Sequence, residues 1–341
     1  MTTVDNPQPF LLHDNGPDAD ERVVIFAKEH HIQTLADSDV WCMDGNFAMA
    51  PSIFMQLYVI QGRVSPVLIP LVYVLLQRKT QTSYESMFCV LEEHGCDPSV
   101  VIIDFERSVD LALLAVYGPQ VQIQYCFYHL TQSTWRQIQS LGLTNMYKDD
   151  EFRLFCGQLD ALAFLPLWEL HEGMQYIKQT MPEAAEPLVD YFDRTYVSGR
   201  LRQCPQQQHE DQENVPPIRI RRTPPAFPPQ KWNMHQVTLD DQTRTNNISE
   251  GWNNKFSLLV GEQHPSVWKL IETLQQECER VTTILLQNER GIRPTKRFKK
   301  VYTELQKRLC NLCEDRKSGN KTIAEFLRGV SYNIRGGQLN M

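Results

Sequence analysis

The chain has 341 residues, with 42% hydrophobic and 22% charged side chains and a formal net charge of −7. That composition excludes a disordered or fibrous chain and leaves room for about two domains with buried cores. The acidic total does not announce a nucleic-acid partner, so any such argument must come from how charge is distributed locally.

The first twenty residues, "MTTVDNPQPFLLHDNGPDAD", are acidic and proline-interrupted, with no basic leader region. They read as a disordered tail over residues 1–21, not as a signal peptide. The segment "VWCMDGNF" (40–47) reads as a strand that ends on Asp44. Two more strands follow over 57–64 and 67–76, rich in β-branched and aromatic residues, with Gly62 as a bend between them. The apolar run "PVLIPLVYVLL" is too short to span a bilayer. A helix follows in "TSYESMFCVLEEHG", capped by Thr82 or Ser83 and stopped by Gly95.

"SVVIIDFE" (99–106) carries four consecutive β-branched residues, Val100 to Ile103, the pattern of a strand covered on both faces. It too ends on an aspartate, Asp104. "DLALLAVYG" reads as a short helix stopped by Gly118, and "VQIQYCFYHL" as another strand. The order βββαβαβ implies an α/β layered domain around a mixed sheet.

From about 131 to 198 the spacing turns helical. Residues 200–230 are rich in Pro and Gln and read as a loop or extended linker. Helical spacing returns in "PSVWKLIETLQQECERVTTILLQNE", where Val267, Leu270, Ile271, Leu274, Cys278, Val281 and Leu285 share a face. Residues 288–335 hold 13 Lys or Arg against 5 Asp or Glu, a local excess of +8 that leaves −15 for the rest. The nine cysteines are scattered, and without a secretory leader they are expected reduced. Cys310 and Cys313 form a lone C-x-x-C pair on a helical segment, a weak signal for zinc beside the ordinary structural reading.

Asp44 and Asp104 carry the chemical argument. If their strands are parallel neighbours, both carboxylates emerge at one sheet edge, where ligand groups of open α/β sheets collect. Two carboxylates brought close repel unless a cation lies between them. Hard oxygen donors suit Mg²⁺ or Mn²⁺, and a third acid would complete a two-metal phosphodiester site. "RTNNISEGWNNKF" (244–256) offers Glu250, which on a helix shares a face with Asn246, Asn253 and Asn254, while Trp252, Phe256 and Leu259 share an apolar face. Against this, Asp-Gly is a common turn dipeptide and Glu250 fits an ordinary first-turn acid.

The sequence resembles the transposases of Mutator-like elements, the MULE branch of the DDE transposases. The resemblance runs through "WCMDGNFAMAPSIFMQLYVIQG", "VLIPLVYVLLQRKTQTSYESMF", "VIIDFERSVDLA", "YCFYHLTQSTWRQIQSLGL" and "FPPQKWNMHQVTLDDQTRTNNISEGWNN", and covers about residues 22–260. It implies a ribonuclease-H-like mixed sheet flanked by helices and interrupted by an α-helical insertion. The division it implies is a catalytic core over 22–130, an insertion over 131–244 containing the Pro/Gln-rich loop, the helix with the third acid over 245–264, and a basic helical region over 265–341. Position by position, it puts Asp44, Asp104 and Glu250 as catalytic acids holding two Mg²⁺ or Mn²⁺ ions. Cys126 and His129 match a C-x-x-H signature, and Asn246 and Asn254 are accessory candidates.

The implied activity is cleavage and strand transfer at transposon ends into target DNA, in the nucleus and away from any membrane, with assembly into a homo-oligomer left open. Arg219, Arg221 and Arg222 in one basic cluster, and Arg293, Lys296, Arg297, Lys299 and Lys300 in another, are candidates for tracking the phosphate backbone. Trp232 and Trp252 are candidates for stacking on an unpaired base, beside a core reading.

Two departures stand out. The first motif reads Asp-Gly-Asn-Phe where Asp-Gly-Thr-Phe is typical, and no Cys/His array of the FLYWCH type is found. A truncated or host-domesticated product is therefore expected, and a non-catalytic DNA-binding scaffold is the alternative. A 3′ exonuclease, suggested by "DFE" at 104–106, is the third reading; such enzymes carry the acid pair on the first strand, whereas here it follows the fourth.

Overall fold

The computed structural model describes residues 9–203, 220–242, 247–294 and 300–336, with residues 203, 220, 247–250 and 336 described by their backbone alone. The chain opens with β1 (Leu11–Asp14), β2 (Val23–Phe26), α1 (Glu29–Ala36), β3 (Val40–Asn46), β4 (Gln56–Val64), β5 (Val67–Leu76), α2 (Gln81–Glu93), β6 (Val100–Ile103), α3 (Arg107–Tyr117) and β7 (Gln122–Tyr125). Then come α4 (Phe127–Ser140), α5 (Asp150–Ala161), α6 (Leu170–Thr180), α7 (Glu186–Phe192), β8 (Arg200–Gln203), β9 (Ile220–Thr223), α8 (Pro229–Trp232) and α9 (His235–Leu239). The last helices are α10 (Asn247–Val260), α11 (Val267–Glu289), α12 (Lys300–Lys317) and α13 (Ile323–Ser331).

The chain divides into two compact units, Met1–Tyr128 with Thr245–Phe298, and His129–Arg244 with Lys299–Met341. The basic region expected over 265–341 is thus split: α11 belongs to the first unit, α12 and α13 to the second.

The first unit is built on a seven-stranded mixed sheet in the order β1-β2-β5-β4-β3-β6-β7. The strands from β1 to β3 pair antiparallel, whereas β3–β6 and β6–β7 are parallel. The expected βββαβαβ order is present, preceded by β1, β2 and α1. Of the tail expected over 1–21, residues 1–8 lie outside the described residues; the rest supplies β1, and Phe10 is fully buried, stacked on Phe26 at 5.4 Å. The acidic surroundings of Phe10, Leu11 and Leu12 hid that edge strand.

One face of the sheet carries Val24, Phe26, Leu57, Val59, Tyr73 and Leu75, every second residue of β2, β4 and β5, as the pleat dictates. Against it pack Trp252, Phe256 and Val260 of α10 and Leu270, Leu274 and Cys278 of α11. On the opposite face Tyr58 meets Tyr84 of α2 edge-on at 5.4 Å.

Gly62 is not a bend. It lies inside β4, opposite Trp41 and Ile69, where an added Cβ would come 2.6 Å from Leu71 Cδ1 and 3.2 Å from Leu35 Cδ1. The reversal comes at Ser65-Pro66, a cis peptide. Pro70, which has no N–H to give a ladder, lies opposite Gln61 at a register shift in β4, the place a sheet tolerates it. Helix α2 is capped by Thr80, not Thr82 or Ser83: its side chain accepts from Ser83 N. Gly95 and Gly118 end α2 and α3 at φ +79° and +78°, as their sequence positions suggest.

The second unit is helical. Helix α5 packs on α13 and α9 on α12, and Arg335 closes a buried ion pair on Asp160. The segment expected as loop over 200–230 contributes the two-stranded ribbon β8–β9 and the short helix α8. Its Pro/Gln-rich middle lies outside the described residues.

Candidate active site

Strand β3 does not end at Asp44. On the β4 side it continues through Asp44↔Val59, Gly45↔Tyr58 and Asn46↔Leu57. On the β6 side its ladder runs Val40↔Val100, Trp41↔Val101 and Cys42↔Ile102. Asp44 thus lies two residues beyond Cys42, and Asp104 two residues beyond Ile102, at matched positions past a parallel pair. Both line one cleft, together with Phe47, Gln56, Lys79 and Glu106. That is the sheet edge at which parallel strands deliver side chains to a ligand.

Each aspartate is half-buried and held by short local bonds. Asp44 Oδ1 accepts from Gly45 N at 3.0 Å and Oδ2 from Asn253 Nδ2 at 2.8 Å. Asp104 Oδ1 accepts from Phe105 N at 2.5 Å. An added Cβ at Gly45 would come 2.3 Å from Gln56 Oε1, so a larger residue there needs the Gln56 amide to shift. Asn46, which stands where the related motif has threonine, accepts from Met49 N at 3.2 Å. A threonine hydroxyl can make the same turn-closing bond, so the exchange is mild.

The Asn253 bond ties α10 to Asp44, and Glu250 lies one helical turn before Asn253. The side chain of Glu250 and all of Asn246 are outside the described residues; Asn254 is exposed. Among the described residues, no three His, Cys, Asp or Glu side chains are arranged to hold a metal ion. Two half-buried carboxylates in one cleft still form a hard-oxygen donor pair that suits Mg²⁺ or Mn²⁺.

Other candidates fall elsewhere. Cys126 is buried with Val40, Cys42, Leu68 and Ile102, a core thiol, and its N–H extends the sheet by donating to Ile103 O at 2.8 Å. The strand expected over 121–130 ends at Tyr125, so His129 lies on α4 in the second unit. Trp232 and Trp252 are core residues: Trp232 donates to Phe227 O at 3.0 Å, Trp252 to Glu277 Oε1 at 2.8 Å. Burial and those bonds remove both from base stacking. On α10, Leu259 is exposed and Val260 takes its place in the core. Cys313 is buried against Phe164 O at 3.8 Å.

Arg221 and Arg222 are exposed on β9, and Arg221 stands opposite Arg202 of β8. Sequence reading missed Arg200 and Arg202, because the ribbon that assembles them spans distant residues. Arg293 and Lys300 are exposed, while Arg219, Lys296, Arg297 and Lys299 lie outside the described residues.

Of the neighbours of the aspartates, sequence reading singled out Glu106 alone, as the second acid of "DFE"; Gln56, Lys79 and Tyr84 it missed. Gln56 Nε2 donates to Tyr84 Oη at 2.6 Å, and the Tyr84 hydroxyl donates to Glu106 Oε1 at 2.8 Å. Glu106 Oε2 is 2.8 Å from Lys79 Nζ. Burial first, and then the negative Glu106, push the Tyr84 hydroxyl far above its ordinary value, so it stays a donor. The tyrosine and lysine precede Glu106 by more than twenty residues, and no spacing rule links them.

Residues 40–133 match the family model of the MULE transposase domain. The match contains Asp44, Asp104, Glu106 and the C-x-x-H pair, and it points to a transposase-related function. No curated protein and no solved structure matches the chain. No described helix is long and apolar enough to cross a membrane.

Proposed function

We propose that the chain is a DDE-type transposase of the Mutator-like kind, cutting and joining DNA strands with Asp44, Asp104 and Glu250. The observation that carries this reading is the matched placement of Asp44 and Asp104 past adjacent parallel strands, in one cleft, inside the segment that matches a MULE transposase domain. A ribonuclease-H-like reading of the sheet accords with it. So does an insertion reading of residues 131–244, since the first unit is formed by segments on either side of that stretch.

Asp44, Asp104 and Glu250 would hold two Mg²⁺ or Mn²⁺ ions. Bound there, the cations would supply Lewis-acid activation of water and charge neutralisation at the phosphodiester. The chain's own residues orient the donors. Gly45 N and Asn253 fix the Asp44 carboxylate, and Phe105 N fixes Asp104. The substrate would be transposon-end and target DNA, and the place of action the nucleus.

The test is strand cleavage of nicked or terminal-repeat DNA by purified protein in Mn²⁺. Asp44→Asn, Asp104→Asn and Glu250→Gln should each lower the rate at least about 100-fold, the scale of losing one electrostatic contributor. Cleavage that survives all three substitutions sinks the reading.

One observation favours a non-catalytic scaffold instead: the Asn253 amide already satisfies Asp44 Oδ2, so α10 docks without a cation. DNA retained with no cleavage in any divalent metal would select that reading.

A further inference from the structure

The cleft holds a third carboxylate and a cation to which the proposed chemistry gives no task. Glu106 follows Asp104 by two residues and precedes α3, and both its oxygens are engaged, one by Tyr84 and one by Lys79. Behind Tyr84 stands Gln56, which is fully buried. Lys79 comes from the segment joining β5 to α2. Its Nζ lies 4.7 Å from the centroid of the Phe47 ring, the residue that closes the Asp-Gly-Asn-Phe motif.

The sequence Gln56, Tyr84, Glu106, Lys79 is therefore a chain of polar contacts that starts in the core and ends on an ammonium in the cleft. An ordinary surface lysine keeps its rotamer freedom and gives it up on binding. Lys79 is restrained from two sides beforehand. An ammonium has three donors, and with one on Glu106 and the ring face beside it, it can still offer one to an anion. The groups a DNA strand brings to such a cleft are phosphodiester oxygens.

We propose that Lys79 contacts a phosphate of the DNA strand in the cleft, and that Glu106 is a positioning carboxylate that holds Lys79 and not a third ligand for a cation. This rests on the reading of the cleft as a DNA-processing site.

The experiment is a salt titration of DNA binding by the full chain, with Ca²⁺ in place of Mg²⁺. It compares wild type, Lys79→Arg, Lys79→Gln and the double variant Lys79→Gln/Glu106→Gln. The double variant leaves net charge unchanged, so the long-range field is preserved. Losing one phosphate contact makes the slope of log K against log salt shallower by about 0.9. That change is expected in Lys79→Gln and in the double variant, and Lys79→Arg should keep the wild-type slope. Calorimetric titration of Mn²⁺ into Glu106→Gln should give wild-type stoichiometry.

A wild-type slope in the double variant overturns the proposal, because Lys79 would then only neutralise Glu106. Loss of a bound Mn²⁺ in Glu106→Gln also overturns it. A wild type that binds no DNA sinks the reading of the cleft itself, and with it this proposal. Thermal melts of each variant separate loss of fold from loss of contact.

Discussion

Asp44 and Asp104 were legible in the sequence because a carboxylate is out of place at the end of an apolar run, and it happened twice. Of their neighbours only Glu106 was visible, as the second acid of "DFE". Gln56 on β4, Lys79 before α2 and Tyr84 on α2 were not legible, because only side-chain geometry brings them to it. Gly62 was misread for a similar reason: a glycine in a strand can mark a bend or a close approach, and only the positions of Leu71 and Leu35 decide. Gly62→Ala should therefore destabilise the first unit by about 1–3 kcal/mol through overpacking, read as a lower urea midpoint at unchanged slope. His31 makes a second prediction at this scale. It is fully buried, with Nδ1 3.4 Å from Cys278 Sγ and Nε2 3.2 Å from Thr282 Oγ1. Burial, and then the neighbouring His30 and Lys28, lower its value to about 3. The unfolded chain therefore binds a proton that the folded chain refuses between about pH 6.5 and 3. The stability it contributes is complete above pH 6.5 and is lost as pH falls, at up to about 1.4 kcal/mol per unit. Denaturant melts across that window should show the slope, and His31→Gln should flatten it.

Among the elements, α10 shows how a periodicity can be right in kind and wrong in register. The sequence offered Trp252, Phe256 and Leu259 as the apolar face; the buried set is Trp252, Phe256 and Val260. The aromatic pair, stacked at 4.6 Å, sets the roll of the helix, and the Trp252 N–H anchors it to Glu277 of α11. Trp252→Phe keeps the ring but abandons a bond to a buried carboxylate. It should cost about 1.5–3 kcal/mol and speed amide exchange along α10, measurable by mass spectrometry. The β8–β9 ribbon went unread because proline and glutamine dominate the composition around it. Its Arg202 and Arg221 stand directly opposite, an arrangement that destabilises a bare ribbon. Arg202→Thr should therefore raise the melting temperature slightly while weakening DNA binding. A loss of both would mean that the arginines serve packing.

For the molecule as a whole, the succession βββαβαβ along the chain and the mixed character of the sheet followed from the alternation of apolar runs and helices; the order of the strands within the sheet did not. The edge strand β1 and the split of the C-terminal helices between units were not written locally. Pairing of β1 depends on β2, and the place of α12 and α13 depends on partners in the second unit. Arg335 shows how much that unit depends on its last described residues. Its guanidinium donates to Asp160, which is fully buried, and to the Tyr147 hydroxyl at 2.9 Å. Arg335→Met strands a buried carboxylate and should destabilise the second unit by about 3–5 kcal/mol, visible as a separate early transition in calorimetry.

The sheet face covered by α10 and α11 has one more consequence, for synthesis. Its strands are finished by residue 125, but the helices that shield Val24, Leu57, Tyr73 and Leu75 come more than a hundred residues later. At ribosomal speeds of about 5–20 residues per second, the nascent chain presents an uncovered apolar surface for several seconds or more. A fragment stopping at residue 133, where the family match ends, would keep that surface bare permanently and should aggregate. The same protein released with residues 245–294 intact can bury it.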